Sequence, residues 1–139
     1  MKLVFIIDNV SFLGGGEYAQ FKFAQHLARR GHQVLVFAGD KSFITPDLAK
    51  EPNLVVRYRR TIPLFAKGIG LGLINDLWSS VYELFVIRPS IQSFSPDWII
   101  GYLRESAIRA VRIGKRSSAK VANFVFETPP WMEKQLGNR

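Results

Sequence analysis

Residues 1–39 read MKLVFIIDNVSFLGGGEYAQFKFAQHLARRGHQVLVFAG, and this stretch decides the fold. The apolar run Lys2 to Ile7 predicts a strand, and Gly14-Gly15-Gly16-Glu17 predicts a glycine-rich turn. A helix is predicted to open just after the glycines and to end at Arg29-Arg30-Gly31-His32. Gln33 to Ala38 predicts a second strand. A strand, a glycine turn and a helix in this order indicate a ligand site at the turn.

The chemistry of that site follows from the helix start. The first backbone N–H groups of a helix have no helical partners, and the positive end of the helix dipole lies beside them. Glycine lets an anion approach the backbone closely, so Gly14, Gly15 and Gly16 are candidate phosphate-binding residues. Glu17 belongs either to the site or to the capping of the helix. The pattern predicts a phosphorylated small-molecule ligand.

The rest of the chain alternates strands with helices. Short strands are predicted over Leu54 to Tyr58, Trp98 to Leu103 and Val121 to Phe126. One helix is predicted over Leu73 to Ile87, with Leu73, Leu77, Val81, Leu84 and Phe85 inward and a stop at Pro89. Another is predicted over Glu105 to Arg116, with inward side chains expected among Ala107, Ile108, Ala110 and Val111.

This alternation predicts an α/β fold: a Rossmann-like parallel sheet of about five or more strands with helices on both faces. Ligands of such sheets bind beyond the carboxyl ends of the strands. Four segments are therefore expected around one mouth: Asp8 to Gly16, Gly39 to Lys41, Leu103 to Glu105 and Glu127 to Trp131. We treat residues 1–139 as a single domain.

Composition narrows the function classes. The 139 residues include no cysteine and two histidines, which excludes disulfides and thiolate zinc sites and makes any metal site unexpected. No signal peptide is expected at the start, and Asp76 and Glu83 interrupt the most apolar long window, so no membrane span is expected. We expect cytoplasmic residence.

The chain is strongly basic, with a net charge of +8 and a pI near 10.1. Such an excess attracts nucleic acid, anionic lipid or phosphorylated ligands, and it also suits solvated helix faces. Nucleic acid is not expected, because no recognition motif accompanies the charge. Aromatic and basic residues between Ile62 and Phe94 favour either peripheral contact with an anionic membrane or packing on the sheet.

A dinucleotide fingerprint, G-x-G-x-x-A, is met by Gly14, Gly16 and Ala19, with Asp40 about twenty residues on. In that fingerprint the first glycine closes the strand. Here Asp8 to Leu13 intervene, so the spacing disfavours a nicotinamide or flavin enzyme.

The same motifs match a family. The strand, the Gly-Gly-Gly-Glu17 turn, the helix and Leu27-Ala28-Arg29-Arg30-Gly31-His32-Gln33-Val34 resemble the start of the GT-B glycosyltransferases of the family-4 type. Ser95-Pro96-Asp97-Trp98-Ile99-Ile100 looks like the family's entry to its fourth strand. The resemblance implies a retaining transferase of two domains. The first binds the acceptor and approaches the donor phosphates with its glycine turn, and the second holds the nucleotide sugar with a Glu-x7-Glu signature.

The resemblance also implies roles for individual residues. After the fifth strand, family members often carry a Phe-His-Thr element that contacts the acceptor or acts as a base, and Phe126-Glu127-Thr128 stands there in this chain. Glu127 is therefore a candidate base. Arg104 and Glu105 follow the fourth strand at the same mouth, where Arg104 is a candidate for holding a phosphate or carboxylate. A nucleotide sugar is implied as substrate, with no cofactor and no metal.

The family's donor half is not expected in this chain, since no two of its glutamates are spaced for Glu-x7-Glu. The chain is then a fragment of a longer transferase or one subunit of a split enzyme, inactive alone. The alternative function is a non-catalytic nucleotide- or phosphate-binding module.

Overall fold

The computed structural model describes residues 1–8, 10, 15–39, 42–44, 49–59, 77–78 and 80–124, with the backbone alone described for residues 59 and 103–105. Its strands are β1 (Lys2–Ile6), β2 (Gln33–Gly39), β3 (Leu54–Arg59), β4 (Trp98–Tyr102) and β5 (Lys120–Phe124). Its helices are α1 (Gly15–Arg29), α2 (Arg88–Phe94) and α3 (Leu103–Gly114). A π-helical segment, Glu83–Ile87, leads directly into α2. All five predicted strands are present.

The strands form one parallel sheet in the order β3-β2-β1-β4-β5. The chain moves outward from β1 to β3 and then returns to add β4 on the other side of β1. The order therefore reverses between β1 and β4, the switch point at which ligands of such sheets bind. The predicted Rossmann-like fold is confirmed.

Alternating side chains of the sheet enter two separate cores. Leu3 and Phe5 of β1 join Phe21, Ala24 and Ala28 of α1 on one face. Val4 and Ile6 join side chains of the π-helical segment, α2 and α3 on the other face: Ile87, Ile91, Ala110 and Ile113. A strand turns successive side chains to opposite faces and helices cover both sides of the sheet, so β1 is apolar from Leu3 to Ile6.

Gly31-His32 closes the carboxyl end of α1. The Gly31 N–H donates to the carbonyl of Ala28 at 3.0 Å, and the His32 N–H donates to that of Leu27 at 3.2 Å. These two bonds are the Schellman closure, which places the residue after the helix in the left-handed region, and Gly31 has φ +86°. Gly31-His32 is thus a helix stop at the edge of the sheet opposite the ligand mouth.

The entry to β4 is also structural. Asp97 accepts a hydrogen bond from the Lys2 N–H through its Oδ2 at 2.7 Å, and its own N–H donates to the Lys2 carbonyl at 2.8 Å. Its carbonyl accepts from the Lys120 N–H at 2.9 Å. Pro96-Asp97 therefore ties the beginnings of β1, β4 and β5 together.

The helix predicted to end before Pro89 in fact continues to Phe94. Pro89 lies inside a continuous helical run, directly after the π-helical segment in which the Arg88 N–H donates to the Glu83 carbonyl. The wider turn of the π-helical segment is a place where a helix accommodates such an irregularity. The π segment adds a residue to one turn and rotates the preceding residues away from the expected face. The predicted inward side chains Leu77, Leu84 and Phe85 are consequently exposed; Leu73 lies outside the described residues.

The predicted bounds of α3 also differ from the observed ones. The helix begins and ends two residues earlier than expected, and it buries Ser106, Ala110 and Ile113 while Ile108 is exposed. A Cβ on Gly101 would stand 2.7 Å from the Ala107 Cα, so this glycine lets the α3 backbone pack directly on β4. That close approach sets which face of α3 is inward.

Candidate functional site at the carboxyl edge of the sheet

Two helices begin at the switch point, α1 after β1 and α3 after β4. Since β1 and β4 are neighbours, the amino ends of α1 and α3 meet at the carboxyl edge of the sheet. Both therefore direct unpaired N–H groups and positive dipole ends toward one mouth. The structure places Gly15 and Gly16 beside the end of β4, where α3 begins.

The helix start differs from the prediction by two residues. Gly15 and Gly16 form the first turn of α1 instead of a turn before it. Within the described part of the chain, a Cβ added at Gly15 would meet no atom within 4 Å. The described residues therefore leave the backbone of the first turn open at Gly15.

Gly16 is a glycine for a different reason. The Tyr102 side chain reaches from the end of β4 to the first turn of α1, and a Cβ on Gly16 would lie 1.7 Å from its Oη and 2.4 Å from its Cζ. Tyr102 is only 6% exposed, so the ring has little room to move. Gly16 is therefore needed to leave room for the Tyr102 ring. Tyr102, the residue before α3, contacts the first turn of α1 through this ring.

Tyr102 is held in place through its backbone. Its N–H donates to the Oγ of Ser106 at 2.9 Å, and Ser106 is fully buried. A side chain in the first turn of α3 thereby accepts the N–H of the residue before the helix, which fixes the angle between β4 and α3. This bond also positions the Tyr102 ring over α1.

An apolar pocket of about 190 Å³ lies beside Tyr102. It is lined by Gly16, Ala19, Gln20 and Phe23 of α1 with Tyr102 and Phe124 from the ends of β4 and β5. The Phe23 and Phe124 rings meet edge to face with their centroids 6.3 Å apart. The pocket suits an apolar part of a ligand whose charged part reaches the helix starts.

The Gln20 side chain lowers the stability of this region. Its side chain is 5% exposed, and neither its Nε2 nor its Oε1 has a hydrogen-bond partner in the described structure. An unpaired buried amide costs about 1–3 kcal/mol. Because the carbon stem of Gln20 lines the pocket while its amide is enclosed, the amide faces protein atoms and not the open space.

The other predicted site residues have the following places. Glu17 is half-buried in the first turn of α1. Arg104 and Glu105 have their backbone in the first turn of α3, at the predicted mouth, and their side chains are not described. Gly14 and Glu127 lie outside the described residues. Within the described part of the chain no three His, Asp or Glu side chains are grouped to hold a metal ion.

The sequence analysis did not assign Phe23 and Phe124 to the site. The sequence did contain a signal for Phe23: the spacing of Gly16, Ala19 and Phe23 places them on one face of a helix. In the structure that face lies toward β5. Only the strand order reveals that Phe124 lies beside them.

Comparison with known proteins defines the fold. No protein-family model and no curated protein sequence matches the chain. Two crystal structures of the C-terminal domain of a hydrogenase from Pyrococcus furiosus match at TM-scores of 0.60 and 0.62 and 13% identity. They cover 89% and 88% of this chain and 90% of each domain.

The lipopolysaccharide outer core galactosyltransferase WaaB, in its apo form, matches at a TM-score of 0.55 and 19% identity. The match covers 89% of this chain and 32% of WaaB, so the chain spans about a third of that enzyme's length. The likeness supports a GT-B-like fold. The hydrogenase domain has the same architecture, so fold by itself does not decide between functions.

None of the helices in the described segments has the length and apolar character to cross a bilayer.

Proposed function

We propose that the chain is the acceptor-side domain of a retaining GT-B glycosyltransferase of the family-4 type that uses a nucleotide-sugar donor. One observation carries the proposal: the open first turn of α1 at Gly15 lies beside an apolar pocket at the switch point of the sheet. That arrangement offers a phosphate position and an apolar ligand position next to each other. A donor-binding domain, in the same chain or as a separate subunit, completes the cleft.

The donor diphosphate approaches the helix start at Gly15, with Gly14, Gly16 and Glu17 around it. Backbone N–H groups and the helix dipole stabilise negative charge there without a metal ion. The other half of the donor site belongs to the second domain, so the chain alone binds the donor weakly and transfers nothing.

The acceptor occupies the side of the mouth between α1 and β5. An apolar group of the acceptor enters the pocket between Phe23 and Phe124, which favours a lipid-linked or aromatic acceptor. Arg104 holds its phosphate or carboxylate, and Glu127 is proposed as the base for the attacking hydroxyl.

Transfer from labelled nucleotide sugars tests the proposal. The chain, a candidate donor domain with the Glu-x7-Glu signature and their mixture or fusion are assayed side by side, with lipid extract as acceptor. We expect transfer only when both are present. Gly15→Val is expected to fold, because its Cβ meets none of the described residues within 4 Å, and to abolish most of that transfer by blocking the helix start.

The alternative function is a non-catalytic nucleotide- or phosphate-binding module. The same assay separates the two, because a binding module retains nucleotides with no transfer in any mixture. Full transfer by the Gly15→Val variant in the mixture, or transfer by the chain alone, would contradict the proposed division of the site.

Peripheral contact with an anionic membrane is a second proposal, carried by the exposed helix before Arg88. Five large apolar side chains there are between 37% and 75% exposed: Leu77, Trp78, Leu84, Phe85 and Val86. Apolar side chains beside basic ones suit the interface of an anionic bilayer, which would bring a lipid-linked acceptor to a cytoplasmic enzyme. Flotation with phosphatidylglycerol vesicles at low salt tests it, and a Leu84→Ser/Phe85→Ser variant is expected to stay unbound.

A further inference from the structure

A cleft lined by charged side chains lies on the face of the sheet that α2 and α3 cover. It has a volume of about 380 Å³ and opens between the π-helical region and the last turns of α3. It is lined by Ser80, Glu83, Leu84, Arg88, Arg112, Lys115 and Arg116. Four of the seven lining side chains are cationic, and one is a carboxylate.

Within the described part of the chain none of these four cations forms an ion pair, and with the Glu83 carboxylate counted the lining side chains carry a net charge of +3 (four cations and one carboxylate). The ion pair described there joins Arg29 to Glu51, far from the cleft in the fold, at 2.6 Å. Like charges held close together repel one another, and a bound anion relieves that repulsion. The cleft therefore favours a ligand with more than one negative charge.

Arg88 adds a feature that a solvated surface does not have. Its Nε is buried and has no hydrogen-bond partner in the described structure. A buried donor without an acceptor is unusual in a folded protein, so the described residues leave the Arg88 guanidinium without a full set of hydrogen bonds.

The helix dipole explains why some, but not all, of the four cations of the cleft lie there. Arg112, Lys115 and Arg116 stand at the carboxyl end of α3, where cations are favourable without any ligand. Arg88 comes from a different helical run, in which the π-helical segment leads directly into α2, so it lies at neither end of that run and gains nothing from a helix dipole. Its presence in the same cleft is what the helix ends do not account for.

The cleft is separate from the glycine turn. Helix α3 runs from the carboxyl end of β4 toward the amino end of β5, so its last turns are at the edge of the sheet opposite Gly15. A ligand bound by Arg112 and Arg116 is therefore not the one that approaches α1.

We propose that this cleft is a binding site for a phosphate group carrying two or more negative charges, such as a diphosphate or a phosphomonoester headgroup. The positive charges of Arg88, Arg112, Lys115 and Arg116, which line the cleft, neutralise the anion. The phosphate comes either from a soluble molecule or from a lipid headgroup. The site does not depend on glycosyl transfer.

Binding to the full chain tests the proposal in two arms. Isothermal titration with inorganic pyrophosphate measures the soluble source, and co-sedimentation with vesicles of phosphatidic acid in phosphatidylcholine measures the lipid source. Arg112→Gln/Arg116→Gln removes two rim charges, and Lys22→Gln/Arg30→Gln, which removes one exposed charge on α1 and one directly after it, is the matched control. Arg88→Met removes the buried donor.

We expect binding in at least one arm, weakened about tenfold or more by the rim variant and by Arg88→Met and less than twofold by the control. Pyrophosphate binding that obeys this pattern identifies a soluble ligand, and vesicle binding alone that obeys it identifies a headgroup. Equal losses in the rim variant and its control indicate general charge attraction and overturn the proposal. Absence of binding in both arms overturns it as well.

Discussion

Replacing Gly16 by alanine tests the contact that joins the two helix starts. The new Cβ would lie 1.7 Å from Tyr102 Oη, 2.4 Å from Cζ and 2.7 Å from Cε1. Non-bonded carbon atoms prefer separations of about 3.5–4.0 Å, so the ring or the helix must shift. Overpacking of this kind costs about 1–3 kcal/mol.

Gly15→Ala is the matched control, because its Cβ meets no atom of the described residues within 4 Å. Both substitutions gain the helix propensity of alanine over glycine, up to about 1 kcal/mol, and this gain largely cancels in the comparison. Gly15→Ala is therefore expected to be neutral or stabilising. The free energy of unfolding of Gly16→Ala is expected to be lower than that of Gly15→Ala by about 1–3 kcal/mol.

Urea unfolding followed by circular dichroism measures both variants, and a Tyr102→Ala background completes a double-mutant cycle. With the ring removed, Gly16→Ala is expected to lose its penalty. Equal stability of the Gly15→Ala and Gly16→Ala proteins, or an unchanged penalty without the ring, would refute the account of Gly16.

Three further substitutions test the scaffold of the site by thermal or urea unfolding. Gln20→Leu is expected to leave stability unchanged or raise it by about 1–2 kcal/mol, because it removes a buried amide without partners; marked destabilisation would reveal a partner. Gly31→Ala is expected to cost about 1–2 kcal/mol because φ is +86° there, whereas Gly31→Asn is expected to cost less. Ser106→Ala is expected to cost about 1–3 kcal/mol by leaving the buried Tyr102 N–H without its acceptor; a neutral result would contradict that role.

Local chemistry made much of the fold predictable. Apolar runs located every strand, and Gly31 marked the end of α1 because a left-handed residue is a local requirement of the helix stop. The helix before β4 was predicted wrongly for an equally physical reason. An unbroken 3.6-residue period assumes a regular helix, and the π-helical segment changes which side chains face the sheet.

The candidate site was predictable only in outline. The sequence predicted that Gly15 and Gly16 stand at a helix start beside the segment after β4. It did not separate their roles, because the neighbour that distinguishes them, Tyr102, is distant in the sequence and arrives through strand pairing. The apolar pocket was missed because Phe23 and Phe124 meet only when β5 takes its place at the edge.

The central claim is that the open first turn of α1 receives the phosphates of a nucleotide. Titration of the ¹⁵N-labelled chain with uridine diphosphate, followed by amide chemical shifts, tests it most directly. We expect saturable shifts of the Gly15, Gly16 and Glu17 amides with a dissociation constant in the millimolar range, and their loss in Gly15→Val. Shifts confined to other parts of the chain, or none at these three amides, would contradict the claim.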